Sequence, residues 1–200
     1  MSNDNDLTKS ITLDYENRLK AIFEDFHAHP ELSLAEFETA KKISTALKNH
    51  GFTVTENVGG TGVVALLKNG KGPLVMMRAD MDGLPLEEKT DLPYASKDKQ
   101  LDPVTGNIFP VMHACGHDVH ITALIGTAKQ MVDLKSEWSG TLMLIAQPAE
   151  ERVLGARNMM NDNLWERFGK PDYALAFHVS SMLPSGIVNV VDGSPYAGAD

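Results

Sequence analysis

Cysteine is nearly absent: one thiol, Cys115, stands in 200 residues. A single cysteine cannot close an internal disulfide, so nothing here reads as a stapled, secreted scaffold. Basic residues are also scarce, 18 Lys and Arg against 27 Asp and Glu, for a formal net charge of -9. That balance argues against a nucleic-acid surface, which needs clustered Lys and Arg facing phosphates. No apolar run approaches the length of a membrane span. The opening residues, MSNDNDLTKS, lack the charged-then-apolar pattern of a secretion signal. Neither nucleic acid nor membrane is therefore an expected partner, and the cytoplasm is the expected location. Repeats and low-complexity tracts are missing as well. What remains is ordinary for a globular chain: 42% hydrophobic and 22% charged residues, and enough length to bury one good-sized core.

Periodicity then places the elements. Residues 13–28 carry a helical stripe of Leu19, Ile22, Phe23 and Phe26, interrupted by HPELS at residues 29–33. Residues 35–49 form a second amphipathic helix, with Gly51 as its stop. Residues 52–56 alternate like a half-buried strand. The apolar runs 62–68 and 73–79 are joined by NGKG, which predicts a hairpin or tight loop. The second run is apolar at consecutive positions, as in a strand covered on both faces. Residues 81–111 read as a long functional loop. Helices are predicted over 117–134 and 155–161, and strands over 141–146, 173–179 and 187–191. This alternation predicts an α/β fold: a three-layer catalytic domain built on a mixed sheet.

Against this background the segment HACGHDVH, residues 113–120, stands out. It packs one thiol, three imidazoles and one carboxylate into eight residues, a density that core packing does not require. Gly116 lets the backbone bend so that Cys115 and His117 can face one ion. Thiolate and imidazole suit zinc, while imidazole with carboxylate also suits manganese, cobalt or nickel. Asp118 is placed to cap the following helix or orient a ligand imidazole, and His120 to lie beside the site or at the surface. A buried free cysteine next to a helix start is the bland alternative, and it leaves three histidines unexplained.

A second cluster, QPAEE at residues 147–151, ends the predicted strand 141–146, and ligands of open α/β sheets gather beyond the carboxyl ends of strands. Of two adjacent acids there, one can bind metal while the other carries protons. Read alone, Glu150 and Glu151 would pass for a solvated helix start. RADMD, residues 78–82, also follows an apolar strand, so Asp80 could fix a ligand imidazole and Arg78 could pair with a carboxylate. His178, at the end of a predicted strand, is placed to supply a further ligand. His27 and His29 read as packing and turn residues near the pocket floor, and His50 as a helix-end residue.

Taken in order, HPELS, RADMDGLP, MHACGHDVH, QPAEE and FHV resemble the M20 metallopeptidase family. The resemblance runs from about Leu19 to the last residue. It is closest to the amidohydrolase branch of hippurate hydrolases, N-acyl-amino-acid amidohydrolases and plant auxin-conjugate hydrolases. It implies an α/β catalytic domain with a smaller inserted lid that often mediates dimerisation. It implies Cys115, His117, Glu151 and His178 as ligands of two divalent ions (zinc, manganese, cobalt or nickel). Glu150 matches the general base and Asp80 the residue supporting the metal centre. Peptidase relatives carry a His two residues before that Asp, where this chain has Arg78, which favours the amidase branch. The lid and the final His ligand would lie beyond residue 200, so residues 1–200 correspond to the N-terminal part of the catalytic domain.

The expected activity is hydrolysis of an N-acyl amino acid by a metal-dependent homodimer. Three alternatives stand beside it: a family exopeptidase acting on dipeptides, a non-catalytic metal-binding module, and a cysteine hydrolase using Cys115 with His113 or His117.

Overall fold

The amino-terminal stripe folds as one helical rod with a defect. Helix α1 (Ser2–Asp14) passes through a π-helical turn at Tyr15–Leu19 into α2 (Lys20–Ala28). HPELS then turns the chain, and the Glu31 carboxylate accepts hydrogen bonds from the backbone N–H groups of Glu38 and Thr39, capping α3 (Phe37–Asn49). The computed structural model describes residues 2–190 and 192.

Five strands form the main sheet: β1 (Thr53–Val58), β2 (Gly62–Asn69), β3 (Leu74–Asp80), β6 (Gly140–Gln147) and β7 (Tyr173–Ala176). Between them in the chain lie a short two-stranded ribbon, β4 (Lys99–Leu101) with β5 (Ile108–Pro110), and the long helix α4 (His117–Asp133). Two further helices, α5 (Gly155–Asn161) and the unforeseen α6 (Leu164–Phe168), precede β7.

The sheet order is β1-β2-β6-β3-β7. Of the two connections predicted for NGKG, a hairpin or a tight loop, the tight loop forms, because β2 and β3 do not pair with each other. Strand β6 lies between its two flanking strands, antiparallel to β2 and parallel to β3. Two apolar runs separated by a turn fit a hairpin locally. Here both instead find their ladder partners in a strand some seventy residues later, which is also the most deeply buried of the sheet. The strand expected over 187–191 does not form over residues 187–190, which lie in irregular chain, and Val191 falls outside the described residues. The strand expected over 173–179 stops at Ala176, leaving His178 just past its end.

Helices cover both faces, so the three-layer α/β expectation holds. On one face α2, α3 and α4 enclose Ile43, Leu47, Leu124, Ile125 and Leu144. On the other, α5 and α6 bring Met159 and Leu164 onto Val64, Met143 and Ile145. No helix among the described residues is long and apolar enough to cross a membrane. The carboxyl ends of β3 and β6 and the first turn of α4 meet at one edge of this layered core, and the polar clusters gather there.

Candidate metal centre

Gly116 makes the approach to α4 possible. Its φ is +76°, and a Cβ there would lie 2.4 Å from Val179 Cγ2. The left-handed bend turns Cys115 and His117 toward the same space, with β7's exit packed against it. His117 is fully buried, and its Nδ1–H donates to the backbone carbonyl of Asp82 at 2.8 Å. That bond fixes the tautomer and leaves the Nε2 lone pair facing the pocket. His178 is oriented the same way: Nδ1–H donates to the Val179 carbonyl, and Nε2 stands 3.3 Å from Cys115 Sγ.

The acids arrive from β6. The chain beyond Gln147 folds into a tight turn in which Leu154 N–H and Gly155 N–H both donate to the Ala149 carbonyl. Gly155 is obligatory in that turn, since a Cβ would fall 1.5 Å from the Pro148 oxygen. The turn points Glu150 Oε2 to 3.9 Å and Glu151 Oε1 to 3.8 Å from His117 Nε2. Cys115 with His117 and His178, and His117 with Glu150 and Glu151, are two donor groups each gathered within 4.8 Å, and both share His117. The predicted ligands Cys115, His117, Glu151 and His178 therefore converge, with Glu150 beside them.

Asp80 and His120 form a third group with His117, yet His120 has no free nitrogen. Its Nδ1–H donates to Asp80 Oδ1 at 2.5 Å and its Nε2 accepts from Val179 N–H at 3.0 Å. It ties the end of β3 to the segment carrying His178. Asp80 also pairs with Arg78 at 2.7 Å. Both carboxylates of RADMD stand against His117: Asp80 Oδ2 is 3.6 Å from its Nε2, and Asp82 Oδ1 is 3.4 Å from its Nδ1, while Asp82 Oδ2 accepts from Ser33 Oγ and Glu151 N–H. Sequence reasoning missed Asp82, Ser33 and Glu36. The available signal was the pairing of Asp80 with Asp82 past an apolar strand, and the polar residues of HPELS. Asp118 turns away from the pocket and accepts from His27 Nδ1 at 2.6 Å, while His27 Nε2 meets Glu88 at 2.9 Å. His27 is thus an ion-pairing bridge rather than simple packing.

The electrostatics suit a cation. Burial and the nearby Glu151, Glu150 and Asp80 carboxylates push the Cys115 thiol up to about 12. Burial likewise raises Glu151, only partly offset by His117. Burial pushes His113 down to about 4, and neither of its ring nitrogens has a hydrogen-bond partner. Two inward-facing atoms, His117 Nε2 and Glu151 Oε1, are buried without any partner. Orphaned buried acceptors are costly, and a lone pair, a carboxylate and a thiol together suit a divalent metal. The residues present fit such ions.

Asp80 gives a pH prediction. Burial works to raise its carboxyl, but the bond from His120 and the charge of Arg78 outweigh it and hold it at about 2. A depressed folded-state value stabilises the fold above the ordinary carboxyl range and loses that contribution as pH falls through 2. Metal-free Asp80→Asn is expected to lose about 2 kcal/mol at pH 7. Urea titrations should show the gap to wild type narrowing between pH 5 and pH 2.5, and a constant gap would refute the assignment.

Residues 76–193 match the model of peptidase family M20/M25/M40. Hippurate hydrolase of Campylobacter jejuni is 42% identical over 167 residues, 83% of this chain and 40% of that one. N-acetylcysteine deacetylase of Bacillus subtilis is 37% identical over 188 residues, 93% of this chain and 46% of that one. Among solved structures, the Bacillus subtilis YXEP protein, a dinuclear metal-binding peptidase of the M20 family, superposes with a TM-score of 0.78 at 37% identity. That match covers 90% of this chain and 47% of the other. The chain thus spans less than half the length of these relatives. Five ordered motifs, the layered α/β fold and this family match agree: the chain belongs to the M20/M25/M40 peptidase family.

Proposed function

We propose that the protein is a metal-dependent amidohydrolase that cleaves N-acyl amino acids to a carboxylic acid and a free amino acid. The observation that carries the reading is the pair of orphaned buried acceptors, His117 Nε2 and Glu151 Oε1, 3.8 Å apart among further donors. Relatives named for hippurate, N-acetylcysteine and indoleacetyl-amino-acid hydrolysis support the substrate class.

In this reading Cys115, His117, Glu151 and His178 hold two divalent ions. Bound there, such ions polarise the scissile carbonyl and acidify a water. Glu150 takes the proton of the attacking water and returns it to the amide nitrogen as the C–N bond breaks. Its side chain is 38% exposed against 18% for Glu151, so it is the acid with room to meet a substrate. Asp82 keeps His117 in the tautomer with Nε2 inward. Asp80, through His120, holds the segment that carries His178.

The cysteine-hydrolase alternative is disfavoured by the thiol itself. Without a metal ion, burial and the Glu151, Glu150 and Asp80 carboxylates push it away from the thiolate that a nucleophile needs.

The test is elemental analysis of the whole protein coupled to release of amino acid from acetyl-, benzoyl- and indoleacetyl-conjugates, with dipeptides alongside. Stoichiometric metal and release from at least one conjugate are expected. Metal without release from any conjugate rejects the assignment, and release from dipeptides alone moves it to exopeptidase.

A further inference from the structure

The segment from Glu31 to Glu36 donates nothing to the metal pocket, yet it reaches the turn that carries both acids. Glu36 is fully buried at 0% exposure. Its Oε2 accepts from Thr61 Oγ1 at 2.6 Å, and its Oε1 accepts from the backbone N–H of Ala149 at 2.7 Å. Ala149 directly precedes Glu150, and its φ is +45°. The left-handed region disfavours a residue bearing a Cβ by roughly 1–2 kcal/mol, so the turn needs an outside restraint. Glu36 supplies one on the near side of Glu150. On the far side, Asp82 accepts from Glu151 N–H at 3.1 Å. The amides flanking Glu150 are thus each held by a buried carboxylate.

We propose that Glu36 is the positioning residue for Glu150: it clamps the left-handed turn at Ala149 from which both acids project into the pocket. The inference rests on the reading of Glu150 as the proton carrier. It also gives the stretch from Ser33 to Glu36 a role, since Ser33 braces Asp82 while Glu36 braces Ala149. Burial raises the Glu36 carboxyl, and either protonation state keeps an oxygen for the Ala149 N–H.

The test compares Glu36→Gln, which keeps that oxygen, with Glu36→Met, which fills similar volume and offers no acceptor. In the whole protein with metal at saturation, Glu36→Met is expected to lower kcat about ten- to a hundredfold with KM within about threefold. The acid limb of its kcat pH profile should also shift, and Glu36→Gln should restore both. Equal losses in the two variants, or a loss with the acid limb unmoved, would overturn the clamp. Amide hydrogen exchange over residues 149–151 reads the clamp without turnover. Exchange should be about tenfold faster in Glu36→Met but not in Glu36→Gln, with the β6 amides unchanged. Unchanged exchange there refutes the proposal whatever the activity. Slow exchange in a wild-type protein that hydrolyses no conjugate would instead sink only the functional reading. If Glu36→Met does not fold, Thr61→Val removes the other partner of Glu36 and should speed exchange at Ala149 about threefold. No change in that variant then overturns the clamp.

Discussion

Replacing Glu150 by Gln is expected to lower kcat by about 10²- to 10⁴-fold, the range for loss of a positioned general base, while metal content stays at the wild-type level. Glutamine keeps the shape and the hydrogen-bonding oxygen but cannot take a proton from water. Glu150 is the more open of the adjacent acids, and its Oε2 is 3.9 Å from His117 Nε2. Glu151→Gln should behave differently, because its Oε1 is a buried atom with no partner in the protein and its loss removes a ligand. Metal-to-protein ratio and kcat, measured on both variants, separate the two roles. Full activity in Glu150→Gln would overturn its assignment, and unchanged metal in Glu151→Gln would overturn the other.

His117→Ala should have the broader effect. His117 is the one side chain common to all three donor groups among the described residues, and its Nε2 faces both acids while its Nδ1 is spent on Asp82. Removing it should abolish stoichiometric metal binding and reduce hydrolysis below detection. A ligand present at a hundred times its dissociation constant adds about 2.7 kcal/mol of stability. Added metal should therefore raise the Tm of wild type and leave that of His117→Ala unmoved. A variant that still gains stability on titration with zinc or manganese would show that the pocket is organised around other donors.

Much of the chemistry was readable before any coordinates. Cys115 and His117 stood out because metal-capable side chains cluster in residues 113–120, where packing does not ask for them; Glu150, Glu151 and His178 gained weight only beside that segment and through the family resemblance. The helices over α2, α3 and α4 and the strand of β6 followed from periodicity within a few residues. Their layering followed from the alternation of strands and helices.

Other features were invisible for definable reasons. Asp82 carries only a weak signal in the sequence, its pairing with Asp80, and Glu36 carries none; only folding puts their oxygens against Ser33, Glu151, Thr61 and Ala149. Helical spacing places His120 near His117 but does not say that both of its ring nitrogens are taken. NGKG left a hairpin and a tight loop both open because its chemistry reports a change of direction, not which strand pairs with which.

Composition and motif spacing by themselves decided which side chains were candidate donors and what the layered fold class is, since residue type fixes ligand chemistry and periodicity fixes element type. Tertiary structure alone decided strand order, the tautomers of His117 and His120, and the aim of Glu150 and Glu151. Those depend on hydrogen bonds between residues far apart in the chain, where pairing is settled by the geometry of burial and not by local preference.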